Sequence, residues 1–390
     1  MSVYIGVPRE TKPGERRVAL VPETVAQLVA KGHTVGIESG AGVAAQLPDA
    51  LYAASGAQIL PDGPSVYEKA DIVLKVRAPQ EAEVPLLRPG SVLIAQMMPL
   101  LEPEIADLVA KSGAHSFSMD LMPRITRAQS MDVLSSMSTV SGYRAVLQGA
   151  LLAERFFPML MTAAGTIAPG KVLILGAGVA GLQAIATARR LGGVVQAFDV
   201  RPASREQVES LGASFLSLPV SDGEGEGGYA RAMAEDEEER ERQALAEPVK
   251  KADVVISTAM VPGRRAPVLM NREMVDSMHP GAVIVDLAAE TGGNCELTQP
   301  GEIVVTDGGV IIDGTLNVPS RMPLPASQLF SRNLVTFLNH AFSAWIGDTT
   351  TAAELGPLPE GDEILRSTCV TSDGQVVHTA TRERLAAVEK

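Results

Sequence analysis

A chain of 390 residues of which 46% are hydrophobic is long enough to build two cores. Its net charge of -13 excludes the basic face that nucleic acid or an anionic membrane surface requires. Two cysteines, Cys295 and Cys369, without metal-ligand spacing point away from a disulfide framework and a zinc site and fit a reducing cytoplasm. The N-terminal M-S-V-Y-I-G-V-P-R-E-T-K lacks the apolar run of a signal peptide. The longest uncharged stretch, residues 172–188, carries three glycines and falls short of spanning length. No metal, nucleic-acid partner or transmembrane segment is therefore expected.

Up to about residue 135, short apolar runs alternate with amphipathic ones. Strands are predicted at V-Y-I-G-V, T-V-G-I-E-S, A-D-I-V-L-K-V, S-V-L-I-A-Q-M and A-H-S-F-S-M-D-L-M, and helices at P-E-T-V-A-Q-L-V-A-K-G and P-E-I-A-D-L-V-A-K-S-G. The alternation predicts a parallel sheet with helices on its faces. Pro22 and Pro103 stand at first helical positions, and Gly32 and Gly113 close the same helices. After P-R-I-T-R-A-Q-S-M-D, a long apolar helix is expected from about Ser141 to Phe156, crossing between domains. The polar residues Arg124, Arg127, Gln129, Asp132 and Ser135 gather at this junction. A carboxamide ligand needs a donor and an acceptor together, which a Gln or an Arg and Asp pair supplies. The same residues also read as a polar hinge loop.

The stretch V-L-I-L-G-A-G-V-A-G-L-Q-A-I-A-T-A-R-R, residues 172–190, predicts a buried strand, a tight turn and a helix whose N-terminus faces the turn. Gly176 allows the turn, Gly178 lets backbone amides approach a pyrophosphate, and Gly181 lets the helix pack on the strand, with Val179 and Ala180 opening the helix. Asp199 stands eighteen residues beyond Gly181, at the end of the next apolar run. There a carboxylate accepts both ribose hydroxyls and repels a 2'-phosphate, favouring NAD over NADP. Arg201 and Arg205 nearby keep a small opening for NADP.

Beyond Asp199 the pattern continues with a helix at S-R-E-Q-V-E-S-L-G, a strand near A-S-F-L-S-L, the polar insertion S-D-G-E-G-E-G-G-Y and an acidic run that reads as a solvated helix face. Strands follow at A-D-V-V-I-S-T-A-M, G-A-V-I-V-D-L-A-A-E-T-G-G-N and G-V-I-I-D-G, and from about Pro325 a helix returns to the first domain. The fold expected is α/β: two Rossmann-like domains, each a parallel sheet flanked by helices, with a cleft between them. The first domain is discontinuous, residues 1–135 plus 325–390, and the second, residues 136–324, binds NAD. His33, His115, His279, His340 and His378 occupy helix ends, a strand and the tail, and read as structural or surface residues rather than proton carriers.

The motifs R-E-T-K-P-G-E-R-R-V-A-L-V-P, P-R-I-T-R-A-Q-S-M-D-V-L-S-S-M-S, G-A-G-V-A-G-L-Q-A-I-A-T-A-R-R-L-G with D-V-R-P, G-G-Y-A-R-A-M and V-I-V-D-L-A-A-E-T-G-G-N resemble the NAD(H)-binding first domain, or alpha subunit, of proton-translocating NAD(P) transhydrogenase, over nearly the whole chain. The resemblance implies that Arg124, Gln129 and Asp132 hold the nicotinamide, with Ser135 beside them. It also implies a mobile loop near residues 221–235 that closes through Gly228 and Tyr229, and a backbone segment, Thr258, Ala259 and Met260, next to the cofactor. Cofactor contacts on this reading extend over Arg127, Gly176, Gly178, Val179, Ala180, Gly181, Asp199, Val200 and Arg201.

The implied activity is direct hydride transfer from NADH on this chain to NADP on a partner subunit. A separate membrane subunit couples it to proton translocation. The chain is then a cytoplasmic, peripheral subunit of the split form, and a homodimer. Alanine dehydrogenase, an NAD-dependent relative, is similar at Arg17 and Lys75, which in that family grip the substrate; here Met98 takes the place of its catalytic histidine and Glu290 that of its catalytic aspartate. A thioether moves no proton, so amino-acid oxidation is the alternative reading, and a nucleotide sensor without chemistry a third.

Overall fold

The structure is a computed structural model that describes residues 3–217, 235–260, 265–346 and 356–388. Its contacts divide the chain into two compact units, Met1–Met137 with Ser320–Lys390, and Ser138–Pro319.

The first unit opens with β1 (Tyr4–Val7), α1 (Pro22–Ala30), β2 (Thr34–Glu38), α2 (Asp49–Ala54), β3 (Gln58–Leu60), α3 (Gly63–Lys69), β4 (Ile72–Arg77), β5 (Val92–Gln96), α4 (Pro103–Ser112) and β6 (His115–Ser118). β1 pairs in parallel with β2 on one side and with β4 on the other. The chain therefore winds outward to β3, crosses back over β1, and winds the other way through β5 and β6. The reversal between β1 and β4 makes a switch point at their carboxyl ends. Pro22 and Pro103 begin α1 and α4 as their fixed φ suggests, and Gly113 ends α4 at a φ of +79°. The short elements α2, β3 and α3 were not expected; three to seven residues apiece are too few to show a hydrophobic period.

The helix expected from Ser141 to Phe156 runs instead as α5 from Val133 to Leu152. The Asp132 carboxylate accepts the Ser135 amide at 2.9 Å, a cap that starts the helix early. Beyond its end, Glu154 takes a φ of +48°, which helical backbone does not allow.

In the second unit a hairpin, β7 (Leu160–Thr162) and β8 (Gly165–Ile167), precedes β9 (Lys171–Leu175), α6 (Val179–Arg190), β10 (Val194–Phe198), α7 (Ser204–Ser210), β11 (Ser214–Phe215), α8 (Glu235–Lys251), β12 (Val254–Ser257), α9 (Arg272–Asp276), β13 (Val283–Asp286), β14 (Ile303–Val305) and β15 (Ile311–Asp313). Among the described residues the sheet has seven strands in the order β11-β10-β9-β12-β13-β15-β14. It is parallel except where β14 runs against β15. Leu175 lies level with Phe198 on one side and Ser257 on the other. Gly176, Asp199 and Thr258 are thus each the first residue past the end of adjoining strands, at the point where the winding reverses.

The chain closes in the first unit with α10 (Pro323–Ala341), α11 (Glu363–Thr368), β16 (Cys369–Ser372), β17 (Gln375–Val376) and α12 (Thr379–Val388). β16 adds to β6 in the antiparallel sense, and β17 to β16 likewise, so this sheet is not wholly parallel. The two sheets are parallel at their centres and antiparallel at one edge, where no helical crossover is needed. Among the described residues no helix is long and apolar enough to cross a membrane.

Close backbone packing fixes the second unit's two long helices. A Cβ on Gly142 of α5 would stand 2.1 Å from the Ala180 carbonyl oxygen in α6. The neighbour is main chain and cannot rotate away. Gly142→Ala is therefore expected to cost about 3 kcal/mol of stability, read by denaturant titration; a midpoint like that of the wild type would show that the two helices separate freely.

Candidate functional site

In the second unit, β9 delivers the chain into Gly176, whose φ of +94° is the left-handed region a side chain resists. Gly178 caps α6 in extended conformation. The first helical bond runs from the Leu182 amide to the Gly178 carbonyl, so the amides of Val179, Ala180 and Gly181 lie ahead of the helix ladder. A Cβ on Gly181 would stand 1.9 Å from the Gly176 carbonyl oxygen, which explains the third glycine. Val179 is exposed and Ala180 buried. A helix N-terminus with open amides, at the carboxyl ends of parallel strands, fits a dinucleotide pyrophosphate.

Asp199 stands beside this turn, buried, and its carboxylate is fully engaged. Oδ1 accepts the Arg201 amide and Nε, each at 2.8 Å, while Oδ2 accepts the Ala177 amide and Arg201 Nη2, each at 2.7 Å. A carboxylate has about four acceptor positions. The ribose hydroxyls expected at Asp199 would have to displace the Arg201 guanidinium. Arg201 is thus a counter-charge to Asp199 here. Arg205 Nη2 donates to Ser217 Oγ at 2.7 Å, and its guanidinium covers the Phe215 ring. Val200 packs on the core beneath the turn.

Across the strand ends, Thr258 Oγ1 donates to the Leu175 and Gly176 carbonyls at 3.2 and 3.1 Å, tying its turn to the glycines. Ala259 is held on both main-chain groups by the Asn294 carboxamide, which accepts its amide at 3.1 Å and donates to its carbonyl at 2.8 Å. Met260 is exposed beside it. Asn294 is held in turn by Asp286, whose Oδ2 accepts the Asn294 and Cys295 amides and the Thr298 hydroxyl, and whose Oδ1 accepts Ser257 Oγ. The segment V-I-V-D-L-A-A-E-T-G-G-N carries Asp286 and Asn294, to which sequence reasoning assigned no task. The available signal was an Asn and an Asp, each with several donors or acceptors, inside an otherwise apolar segment. Gly228 and Tyr229 lie outside the described residues.

In the first unit, Arg124, Arg127 and Gln129 are exposed on and beside the 3-10 helix Thr126–Met131, while Ala128 and Met131 are buried beneath it. Asp132 follows, its two oxygens taking the Ser135 amide at 2.9 Å and hydroxyl at 2.5 Å. Two acceptor positions on the carboxylate are left by these bonds. Burial would raise the Asp362 carboxyl, yet it is held below its ordinary value by the Leu365 amide, by His340 and by the charge of Arg127. Arg127 therefore lies within electrostatic reach of Asp362. The histidines take packing places: His33 stacks on Phe342 at 4.4 Å, and His340 Nε2 lies 2.8 Å from Asp362.

Arg17 and Lys75 are both buried at the first unit's switch point, held by carboxylates of this chain. Arg17 donates to Glu15 through Nε at 2.8 Å and Nη2 at 2.6 Å, and Arg77 Nε reaches the same carboxylate at 3.2 Å. Lys75 Nζ donates to Glu83 at 2.9 Å and lies 3.6 Å from Glu10. Met98 follows β5 at a φ of +52°, its amide bonded to Asp120 at 3.1 Å. Glu290 is exposed and accepts the Asn317 amide at 2.6 Å.

Family models for "Alanine dehydrogenase/PNT, N-terminal domain" and "Alanine dehydrogenase/PNT, C-terminal domain" match residues 6–141 and 145–379. The chain is 47% identical to the first of the polypeptides that make up NAD(P) transhydrogenase subunit alpha in Rhodospirillum rubrum, over 96% of this chain and 98% of that one. It is 30% identical to alanine dehydrogenase of Bacillus subtilis, over 82% of this chain and 81% of that one. Among solved structures, a transhydrogenase from Sinorhizobium meliloti is similar with a TM-score of 0.83 at 43% identity, covering 97% of this chain and 99% of that one. An L-alanine dehydrogenase follows with a TM-score of 0.79 at 28% identity, covering 99% of both.

Burial alone would raise the Glu15 carboxyl, but the hydrogen bonds and charge of Arg17, with Arg77 behind, hold it well below the usual carboxylate range. A folded-state value below the unfolded one stabilises the protein above about pH 4.3, the unfolded value, and that contribution is lost as pH falls below it. Glu15→Gln leaves two buried guanidiniums without their counter-charge, and should cost about 3 to 5 kcal/mol at pH 7 while flattening the acid limb of the stability curve. Chemical denaturation between pH 3 and 7 reads both effects. A variant as stable as the wild type at pH 7 would remove the ion pair from the fold's supports.

Proposed function

The chain belongs to the alanine dehydrogenase/PNT family and is an oxidoreductase, and from that premise we propose that it is the NAD(H)-binding alpha subunit of an NAD(P) transhydrogenase. It passes hydride directly from NADH to NADP held by a partner subunit, and a separate membrane subunit couples the transfer to proton translocation. What carries the reading is the end-to-end match to the Rhodospirillum rubrum alpha-subunit polypeptide.

The bound dinucleotide supplies the hydride. The second unit, proposed as the NAD-binding domain, holds the pyrophosphate on the Val179, Ala180 and Gly181 amides and the positive end of α6. Asp199 accepts the ribose once Arg201 turns aside, and Thr258, Ala259 and Met260 flank the cofactor on a turn that Asn294 keeps rigid. Arg124, Gln129 and Asp132 orient the nicotinamide carboxamide, with Ser135 fixing the Asp132 carboxylate. Transfer between two nicotinamides moves no separate proton, so the chain's contribution is positioning.

The similarity to L-alanine dehydrogenase favours a second reading, NAD-dependent oxidation of alanine or another amino acid. The thioether of Met98, proposed to stand where that chemistry needs a base, counts against it. The two readings part in one assay: purified chain, NADH and an NADP-binding transhydrogenase domain, with reduction of an NADP analogue followed. The transhydrogenase reading requires transfer there. Its absence, together with alanine-dependent NAD reduction, would establish the other. Arg124 is exposed, so Arg124→Ala should leave the melting temperature unchanged and slow transfer by about 100-fold; an unchanged rate would remove this loop from the mechanism.

The chain is proposed to act as a homodimer, peripheral on the cytoplasmic face of the inner membrane through its partner subunits. Phe156, Met159, Met161 and Ile167 are exposed on and before the β7–β8 hairpin, and a hairpin this short is marginal unless something covers it. Met161→Asp with Ile167→Asp should convert the dimer to monomer in sedimentation equilibrium; a dimer that persists would place the interface elsewhere.

A further inference from the structure

Asn333 lies inside α10 with 6% of its surface exposed, in the same unit as the junction loop. Its Nδ2 donates to the main-chain carbonyl of Ser130 at 2.8 Å, between Gln129 and Asp132 in sequence. Its Oδ1 is buried and has no hydrogen-bond partner among the described residues. The carbonyl of Ser130 fixes which end of the amide faces the loop, because the reverse orientation would set two acceptors against each other.

As a stabilising device this arrangement is poor. Desolvating Oδ1 opposes the gain from the single bond, and Ser130 is exposed, so water can serve its carbonyl equally well. The neighbours of Asn333 along α10, Phe330, Leu334 and Phe337, are fully buried apolar residues, and a leucine in its place would suit them. What the amide does and a leucine cannot do is hold the main chain of the 3-10 helix at one point. The loop's remaining described anchors are the buried Ala128 and Met131 and the Asp132 cap on Ser135. Gln129 and Asp132 flank the point where Asn333 pulls.

We propose that Asn333 is a positioning residue for the junction loop, clamping the main chain at Ser130 so that Gln129 and Asp132 present donor and acceptor at the spacing a planar carboxamide needs. The inference rests on the reading of that loop as the seat of the nicotinamide. It adds a residue on another element that touches no substrate and acts through the loop alone.

The test compares wild type with Asn333→Leu, matched in size and apolar, and Asn333→Asp, which turns a carboxylate toward the Ser130 carbonyl. Four quantities are measured on the full chain: melting temperature, amide hydrogen exchange at residues 126–132, NADH affinity by fluorescence titration, and hydride transfer to an NADP analogue on an NADP-binding domain. Asn333→Leu should melt at or above the wild-type temperature and bind NADH within about threefold. Its loop should exchange faster, and transfer should fall by about tenfold, since misplacement rather than lost binding is the defect. Asn333→Asp should lose at least as much in rate. Wild-type exchange in the loop of Asn333→Leu, or a wild-type rate despite a loosened loop, overturns the clamp. So does a large drop in melting temperature with an unaltered rate, the mark of a merely structural residue. Failure of the wild type itself to pass hydride overturns the functional reading and the clamp's purpose together, while the exchange data still decide whether the clamp exists.

Discussion

The second unit is arranged around places where two stretches of main chain come closer than any side chain permits. A Cβ on Gly181 would sit 1.9 Å from the Gly176 carbonyl oxygen, and one on Gly142 would sit 2.1 Å from that of Ala180. These contacts bind β9, α6 and α5 at the start of α6, where the helix presents amides ahead of its first internal bond. The same crowding that denies these positions a side chain puts bare backbone at the strand ends. Bare backbone at the positive end of a helix is what a pyrophosphate recognises.

Buried carboxylates do the local arranging. Asp286 gathers two amides and two hydroxyls and thereby places Asn294, which grips Ala259 by both main-chain groups. Asp132 starts α5 and orders Ser135, and Asp199 joins the glycine turn to Arg201. At the first unit's switch point, Glu10, Glu15 and Glu83 neutralise Lys75, Arg17 and Arg77. Arg17 and Lys75 accordingly have structural partners within their own unit, which explains their presence whether or not they meet a ligand. Breaking one member of such a set strands the others in low dielectric, so each is held by the rest.

The sequence made the central strands and the glycine turn legible because each carries a local signal: continuous apolar residues for strands buried on both faces, and glycine where φ is positive or a Cβ has no room. It did not disclose α2, β3 and α3, whose few residues show no period, nor the antiparallel edge strands β14, β16 and β17, which pairing rather than composition defines. The early start of α5 depended on the Asp132 cap, hidden in a segment that reads equally as a polar loop. In the candidate site the residue types were visible but their engagements were not. Asp199 reads as an open acceptor in sequence, while its four positions are filled in the fold. Asn294 and Asn333 went unnoticed because a single amide in an apolar run acquires a role only when its partner, 35 or 203 residues away, is folded against it.

The central claim is that this chain positions one nicotinamide so that its hydride goes straight to another. Its most direct test is isotopic. NADH carrying deuterium at the transferred C4 position is mixed with the chain, an NADP-binding transhydrogenase domain and NADP in ordinary water, and the product NADPH is examined by mass spectrometry. Direct transfer predicts one deuterium retained in each NADPH formed, with none released to water and no dependence on alanine or pyruvate. Deuterium lost to solvent, or turnover that requires an amino acid or a keto acid, would contradict the account.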